Sequence, residues 1–158
     1  MKTFRFFFSL VCALAIIGVA LISINCAGTT DASVSANIGD QPIWGPTGYD
    51  RADFYYIPDI DSYYSVSEHE YIYRDGTEWH HAASLPNTTA YSSYDQYHSY
   101  KVVVNQPKPY QDNENHKAKY TQYKGVKTQP VIRDSKETKY FVNKDHPEHD
   151  NWVKSHQQ

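Results

Sequence analysis

Beyond Cys26 the chain carries all fifteen of its tyrosines but only one leucine, Leu85, two phenylalanines, Phe54 and Phe141, and no methionine. Tyrosine must therefore do much of the packing. A buried tyrosine hides a large apolar ring but needs a partner for its hydroxyl, which suits thin sheets with one wet edge better than deep aliphatic cores. The stretch FYYIPDIDSYY, residues 54 to 64, puts five aromatic rings and a proline into eleven residues.

Tyr55, Tyr63 and Tyr71 recur every eight residues, as do Tyr56, Tyr64 and Ile72. That spacing fits a strand of about five residues plus a tight connection, whereas a helix uses multiples of 3.6. The expectation is a mainly β, α+β fold: a small antiparallel meander of about four short strands, one short helix and an extended polar tail. Connections are expected at Pro58-Asp59, at Ser67-Glu68-His69 and at Arg74-Asp75-Gly76-Thr77. Asp75-Gly76 reads as a type I′ turn, because both central residues of such a turn need positive φ. It would set Tyr73 opposite Glu78, Ile72 opposite Trp79, Tyr71 opposite His80 and Glu70 opposite His81. Alternation then separates Ile72 and Trp79 on one face from Tyr71 and Tyr73 on the other.

Around this core, residues 1–25 read as a signal peptide, 26–41 as a flexible tether and 42–125 as the β-rich domain, with 126–158 as a polar, largely extended tail. The segment holding Trp44 is expected to run extended, with Trp44 docked as a lid. Tyr100 to Val104 has the β-branched run of a further strand. Asp112 as N-cap, Lys117, Lys119 and Lys124 late, and Gly125 just past the end predict a helix over about 112–124, with His116, Tyr120 and Tyr123 on one face. In the tail, Tyr140-Phe141 is the expected clip to the domain.

The N-terminus carries an address. Lys2 and Arg5 precede an apolar run from Phe6 to Ile24, which has the form of a secretion signal. Cys26 follows directly, where a bacterial lipoprotein signal places the cysteine that becomes lipidated, although Ser23-Ile24-Asn25 departs from the usual lipobox. Plain secretion and a retained membrane anchor are the alternatives. Losing Lys2 and Arg5 takes the formal charge from −3 to −5. Such a domain lacks the electrostatic footprint for nucleic acid. With one cysteine left, no intrachain disulfide is expected.

In order along the chain, YYIPDIDSYYSV, YIYRDGTEW, SLP, SYKVVVNQPKPY, IRDSKETKYF and HPEHDNW resemble a family of short, uncharacterised envelope proteins and predicted lipoproteins from Bacteroidota. The resemblance spans roughly Tyr49 to Trp152. It implies a bacterial envelope address and one small domain, and it carries no activity, ligand, cofactor or catalytic residue with it.

The residues point away from catalysis. No serine stands in a Gly-x-Ser-x-Gly elbow, and Glu68, Glu70, Glu78, Asp59 and Asp61 read as charged turns and edges rather than an acid and base pair. For metal, His69, His80 and His81 lie near Glu68 and Glu70, with Glu70 facing His81, but adjacent strand histidines point to opposite faces and a zinc site needs three or four convergent donors. His146 and His149 form a second, weak candidate, and no metal or cofactor is expected. The expected ligand face is Tyr71, Tyr73, Glu78 and His80, left in water if the helix covers the opposite side of the sheet. The expectation for function is thus a non-enzymatic, lipid-anchored or secreted envelope module with an envelope protein as partner, or alternatively a carbohydrate- or peptidoglycan-binding module.

Overall fold

The computed structural model describes residues 35–156. The signal segment, Cys26 and the first part of the tether lie outside the described residues. The described residues form one compact unit, built on a five-stranded antiparallel sheet. Its strands are β1 (Phe54–Ile57), β2 (Ser62–Ser65), β3 (Glu70–Asp75), β4 (Glu78–Ala82) and β5 (Val102–Val104), in the order β4-β3-β2-β1-β5. The first four form the expected meander, and β5 returns to pair with β1.

Registers run Tyr55↔Tyr64 and Tyr64↔Tyr71 on one face, and Tyr56↔Tyr63 and Tyr63↔Ile72 on the other. The two eight-residue series therefore interleave, because an antiparallel turn with an odd partner sum moves residue i+8 to the opposite face. The β3–β4 hairpin differs from expectation. Its pairs are Tyr73↔His80, Ile72↔His81 and Asp75↔Glu78, so the two-residue loop is Gly76-Thr77 rather than Asp75-Gly76. Gly76 has φ +61 while Asp75 and Thr77 are not left-handed, which puts the positive φ at the first central position, as a type II′ loop requires. The slip shifts each pair by two residues, an even number, so Ile72 and Trp79 still share a face.

Each face of the sheet has its own cover. Under Phe54, Tyr56, Tyr63, Ile72 and Trp79 lies α1 (Asn113–Tyr120), entered by a 3-10 turn at Pro109–Asp112 and left by another at Thr121–Tyr123. Gly125, at φ +78, ends the helical stretch. Asp112 makes no side-chain bond to the first-turn amides, so the expected N-cap is absent. His116 and Tyr120 face Tyr56 as their spacing requires, and Tyr123 stacks on Tyr100 with ring centroids 4.3 Å apart.

The other face is covered by irregular chain. Trp44, 5% exposed, sits among Tyr55, Tyr64 and Tyr71 at the centre of the cluster, not over it as a lid. Tyr91, Tyr94 and Tyr97 pack in from the loop between β4 and β5. The close approach has a local cause at Gly45: a Cβ there would lie 2.5 Å from the Tyr55 hydroxyl.

Two expected boundaries do not hold. The tether is already part of the fold at Asn37, whose side chain donates to Ala52 O at 2.7 Å and accepts from Ala52 N at 2.9 Å, and Gln41 is buried. Residues 126–156 are not an extended tail. Arg133 N donates to Ile43 O at 2.7 Å and Ile132 N to Gly45 O at 2.9 Å, strapping the segment across the chain around Trp44. Tyr140 is fully buried and accepts from Gly48 N at 2.6 Å, which is the expected clip. A second helix, α2 (His149–His156), follows. These few apolar residues suffice because buried Asn143 donates to Gln41 O and so ties the polar segment down.

Candidate functional site

The expected ligand face is largely closed. Tyr71 is 8% exposed, lies nearly parallel to Trp44 at 6.3 Å and shares a hydroxyl hydrogen bond of 3.2 Å with Tyr94. The loop from 85 to 97 carries its own rings onto this side, so the second face needs no helix to leave water. What remains accessible is the β3–β4 end of the face. Half-buried Tyr73 stacks on exposed His80 at 5.9 Å and meets Tyr91 edge-on, and exposed Glu78 lies two residues along β4 from His80.

His80 and His81 point to opposite faces, as expected of neighbours on a strand. His81 lies beside two carboxylates: its Nδ1 is 3.8 Å from Glu70 Oε2 and 3.9 Å from Glu68 Oε2. Donor atoms of the three residues all fall within 4.8 Å of one another. Glu68 stands in the β2–β3 turn, at the expected connection 67–69, and reaches the pair from there. His69, at φ +56, ends that turn in the left-handed region, and Ser65 Oγ accepts from Glu68 N at 3.4 Å. The usable signal was the short 67–69 connection beside a strand whose partner carries His81.

The other weak pair is not convergent. His146 is buried, packs on Phe141 at 4.8 Å and accepts from Glu148 N at 3.1 Å. His149 directs Nδ1 to Phe141 O at 2.8 Å and stacks on Trp152. Neither belongs to a three-donor group among the described residues.

The carboxylates on the first turn serve the fold. Asp59 accepts from Ser99 Oγ at 2.6 Å, Gly125 N at 2.7 Å and Lys127 Nζ, joining three distant segments. Burial opposes its charge, but the hydrogen bonds from Lys127 and Ser99 outweigh burial and hold its carboxyl below the usual range. Asp61, left-handed at φ +48, accepts from Tyr56 at 2.9 Å and from Asn113 at 2.8 Å. Asn113 also donates to Tyr63, whose hydroxyl meets His116 Nδ1 at 2.9 Å. Burial lowers the affinity of His116 for a second proton, which keeps this network neutral at its centre.

Two features had no sequence expectation. Lys101 is 1% exposed, its amine has no hydrogen-bond partner among the described residues, and it lies 5.6 Å from the Trp44 ring centroid. Burial lowers its pKa to about 8. Its backbone is held on both sides by the Gln129 side chain, at 2.8 and 2.9 Å. The second is a cleft of about 660 Å³ rimmed by Asp40, His69, Asn143, Lys144 and Asp145, with Trp44 and Tyr64 beneath. Both rings are buried, so little of their surface is open to a ligand. No helix among the described residues is long and apolar enough to cross a membrane. The chain matches no protein-family model, no curated protein and no solved structure.

Proposed function

We propose that the chain is a non-enzymatic interaction module of the bacterial cell envelope, held at a membrane by lipid on Cys26. The observation that carries this reading is the N-terminal arrangement: Lys2 and Arg5, an apolar run over 6–24, then Cys26 followed by small residues. The resemblance to short Bacteroidota envelope proteins supports the same address. The domain supports a binding rather than a catalytic role, because Asp59, Asp61 and His116 spend their polar atoms on its own loops and strands. An envelope protein is the partner this reading calls for.

Membrane fractionation of the native chain beside Cys26→Ser, with the gel mobility of each, tests it. The native chain should sediment with membranes while the variant accumulates as a soluble or unprocessed species. Identical behaviour of the two would defeat lipid anchoring, a soluble pair meaning secretion and a membrane-bound pair a retained helix.

A second reading, a carbohydrate- or peptidoglycan-binding module, rests on the accessible end of the tyrosine face, where Tyr73 stacks on His80 with Glu78 beside them. Aromatic surface flanked by a carboxylate suits sugar rings. Glycan fragments should then shift the Tyr73 and His80 resonances and leave Tyr71, inside the core, nearly unmoved. A titration series in which no glycan moves Tyr73 or His80 sinks the reading.

A further inference from the structure

We propose that Glu68, Glu70 and His81 form a binding site for a first-row divalent metal cation at the β4 end of the sheet. The donors come from three places that the fold brings together: the β2–β3 turn, the first residue of β3 and the penultimate residue of β4. His81 pairs with Ile72, and Glu70 lies two residues before Ile72, so the pleat places both side chains on one face. Ser65 pairs with Glu70 and also accepts from Glu68 N, which holds the turn against the same strand.

The spacings are those of donors waiting for an ion rather than for one another. At 3.8 and 3.9 Å the His81 nitrogen is too far from either carboxylate for a hydrogen bond. Around a zinc-sized ion, with bonds of about 2.0–2.2 Å, neighbouring donors stand roughly 3–3.5 Å apart. Small rotations of exposed Glu68 and half-buried Glu70 close that difference. No lysine or arginine pairs with Glu68 or Glu70 among the described residues, whose only ionic contact is His81. Two adjacent carboxylates beside one imidazole leave a local negative charge that a divalent cation neutralises.

The donor set narrows the ion. One imidazole with two carboxylates suits zinc, manganese or their neighbours better than calcium or magnesium, which prefer oxygen alone. Three protein donors on an exposed edge leave the remaining positions to water or to a donor from a partner. Tyr110 meets the His81 ring edge-on at 5.9 Å, limiting its rotation and favouring a fixed site. A bound ion would staple the β2–β3 turn to the edge strand β4.

Zinc chloride titrated into the full chain in detergent, by calorimetry with parallel nuclear magnetic resonance of the imidazoles, decides the matter. One saturable equivalent should shift His81. Affinity should fall by about tenfold or more in Glu70→Gln and in His81→Gln, since even supporting residues around metal sites cost that much. Thermal melts without metal should match the native chain, because all three side chains reach solvent; His156→Gln should leave affinity unchanged. Retained affinity in both site variants, loss of binding in His156→Gln alone, or no saturable binding would each overturn the proposal.

Discussion

On the face carrying Tyr55, Tyr64 and Tyr71 the rings meet one another and Trp44, whereas on the face carrying Tyr56 and Tyr63 they meet a helix and a polar network. The first face is covered by loops that contribute rings: Trp44 lies 4.7 Å from Tyr64 and 5.7 Å from Tyr55, and Tyr94 lies 5.9 Å from Tyr71. Its hydroxyls find single partners at the margins, such as Gln41 for Tyr55 at 3.0 Å. The second face is covered by α1, which presents Asn113, His116 and Tyr120 at helical spacing. There the hydroxyls of Tyr56 and Tyr63 join Asp61, Asn113, His116 and Arg74 in one connected set. A tyrosine core can thus be closed by area or by hydrogen bonds, and the two faces should fail differently.

The sharpest way to break the comparison is Trp44→Ala. It removes the ring around which the first face is assembled, and such a truncation should cost about 3–5 kcal/mol, read as a fall in the denaturation midpoint. The same face should gain from Lys101→Met. The unfolded lysine holds its proton up to about pH 10.5 and the folded one only to about 8, so folding carries a penalty of about 3 kcal/mol at neutral pH. After subtracting about 1 kcal/mol for the lost contact with Trp44, the variant should be about 2 kcal/mol more stable at pH 7. In the native chain this penalty shrinks as pH rises from about 8 to 10.5, because there the unfolded state binds more protons. The advantage of the variant in paired melts should shrink over that window; a gap independent of pH would mean that Lys101 finds a partner for its charge.

Smaller substitutions separate the two kinds of closure. Tyr63→Phe keeps the ring but strands His116 and Asn113, and should cost about 1–2 kcal/mol in equilibrium unfolding. Tyr71→Phe removes only the 3.2 Å bond to Tyr94 and should cost about 0.5–1 kcal/mol. Equal losses at the two positions would erase the distinction between the faces. A separate test lies at alkaline pH: burial, then the charge of Tyr71, push Tyr64 up to about 12 from an unfolded value of 10. Its contribution is present below pH 10 and is lost as pH rises toward 12, so absorbance at 295 nm should show Tyr64 ionising after the exposed tyrosines.

Much of the sheet was legible because strand periodicity is local. Tyr55 through Trp79 alternate in a way that only a meander accommodates, and the faces survived even where the hairpin register slipped, since a slip of two preserves the pleat. The helix around His116 was legible from its late lysines and from Gly125 past its end, whereas the Asp112 cap did not form. The strap at 126–156 was not, because its evidence is scattered: Val131, Ile132 and Tyr140 are few, and their partners, Pro46, Gly45 and Gly48, lie about 85 to 92 residues earlier. The metal trio was half legible, in that Glu70 beside His81 follows from strand order, while Glu68 depends on how one left-handed residue, His69, closes a turn.

By itself the sequence determined that tyrosine would be the packing material, that the chain would alternate as short antiparallel strands, and which residues would share a side of each strand. Those properties come from composition and from the two-residue repeat of extended backbone. Only the tertiary structure decided that both faces would be covered, that Trp44 would become a centre rather than a lid, and that the Lys101 amine would be enclosed with no hydrogen-bond partner among the described residues. Those outcomes depend on where distant loops return, and loop return is set by the sum of weak polar and aromatic contacts across the whole chain rather than by any local pattern.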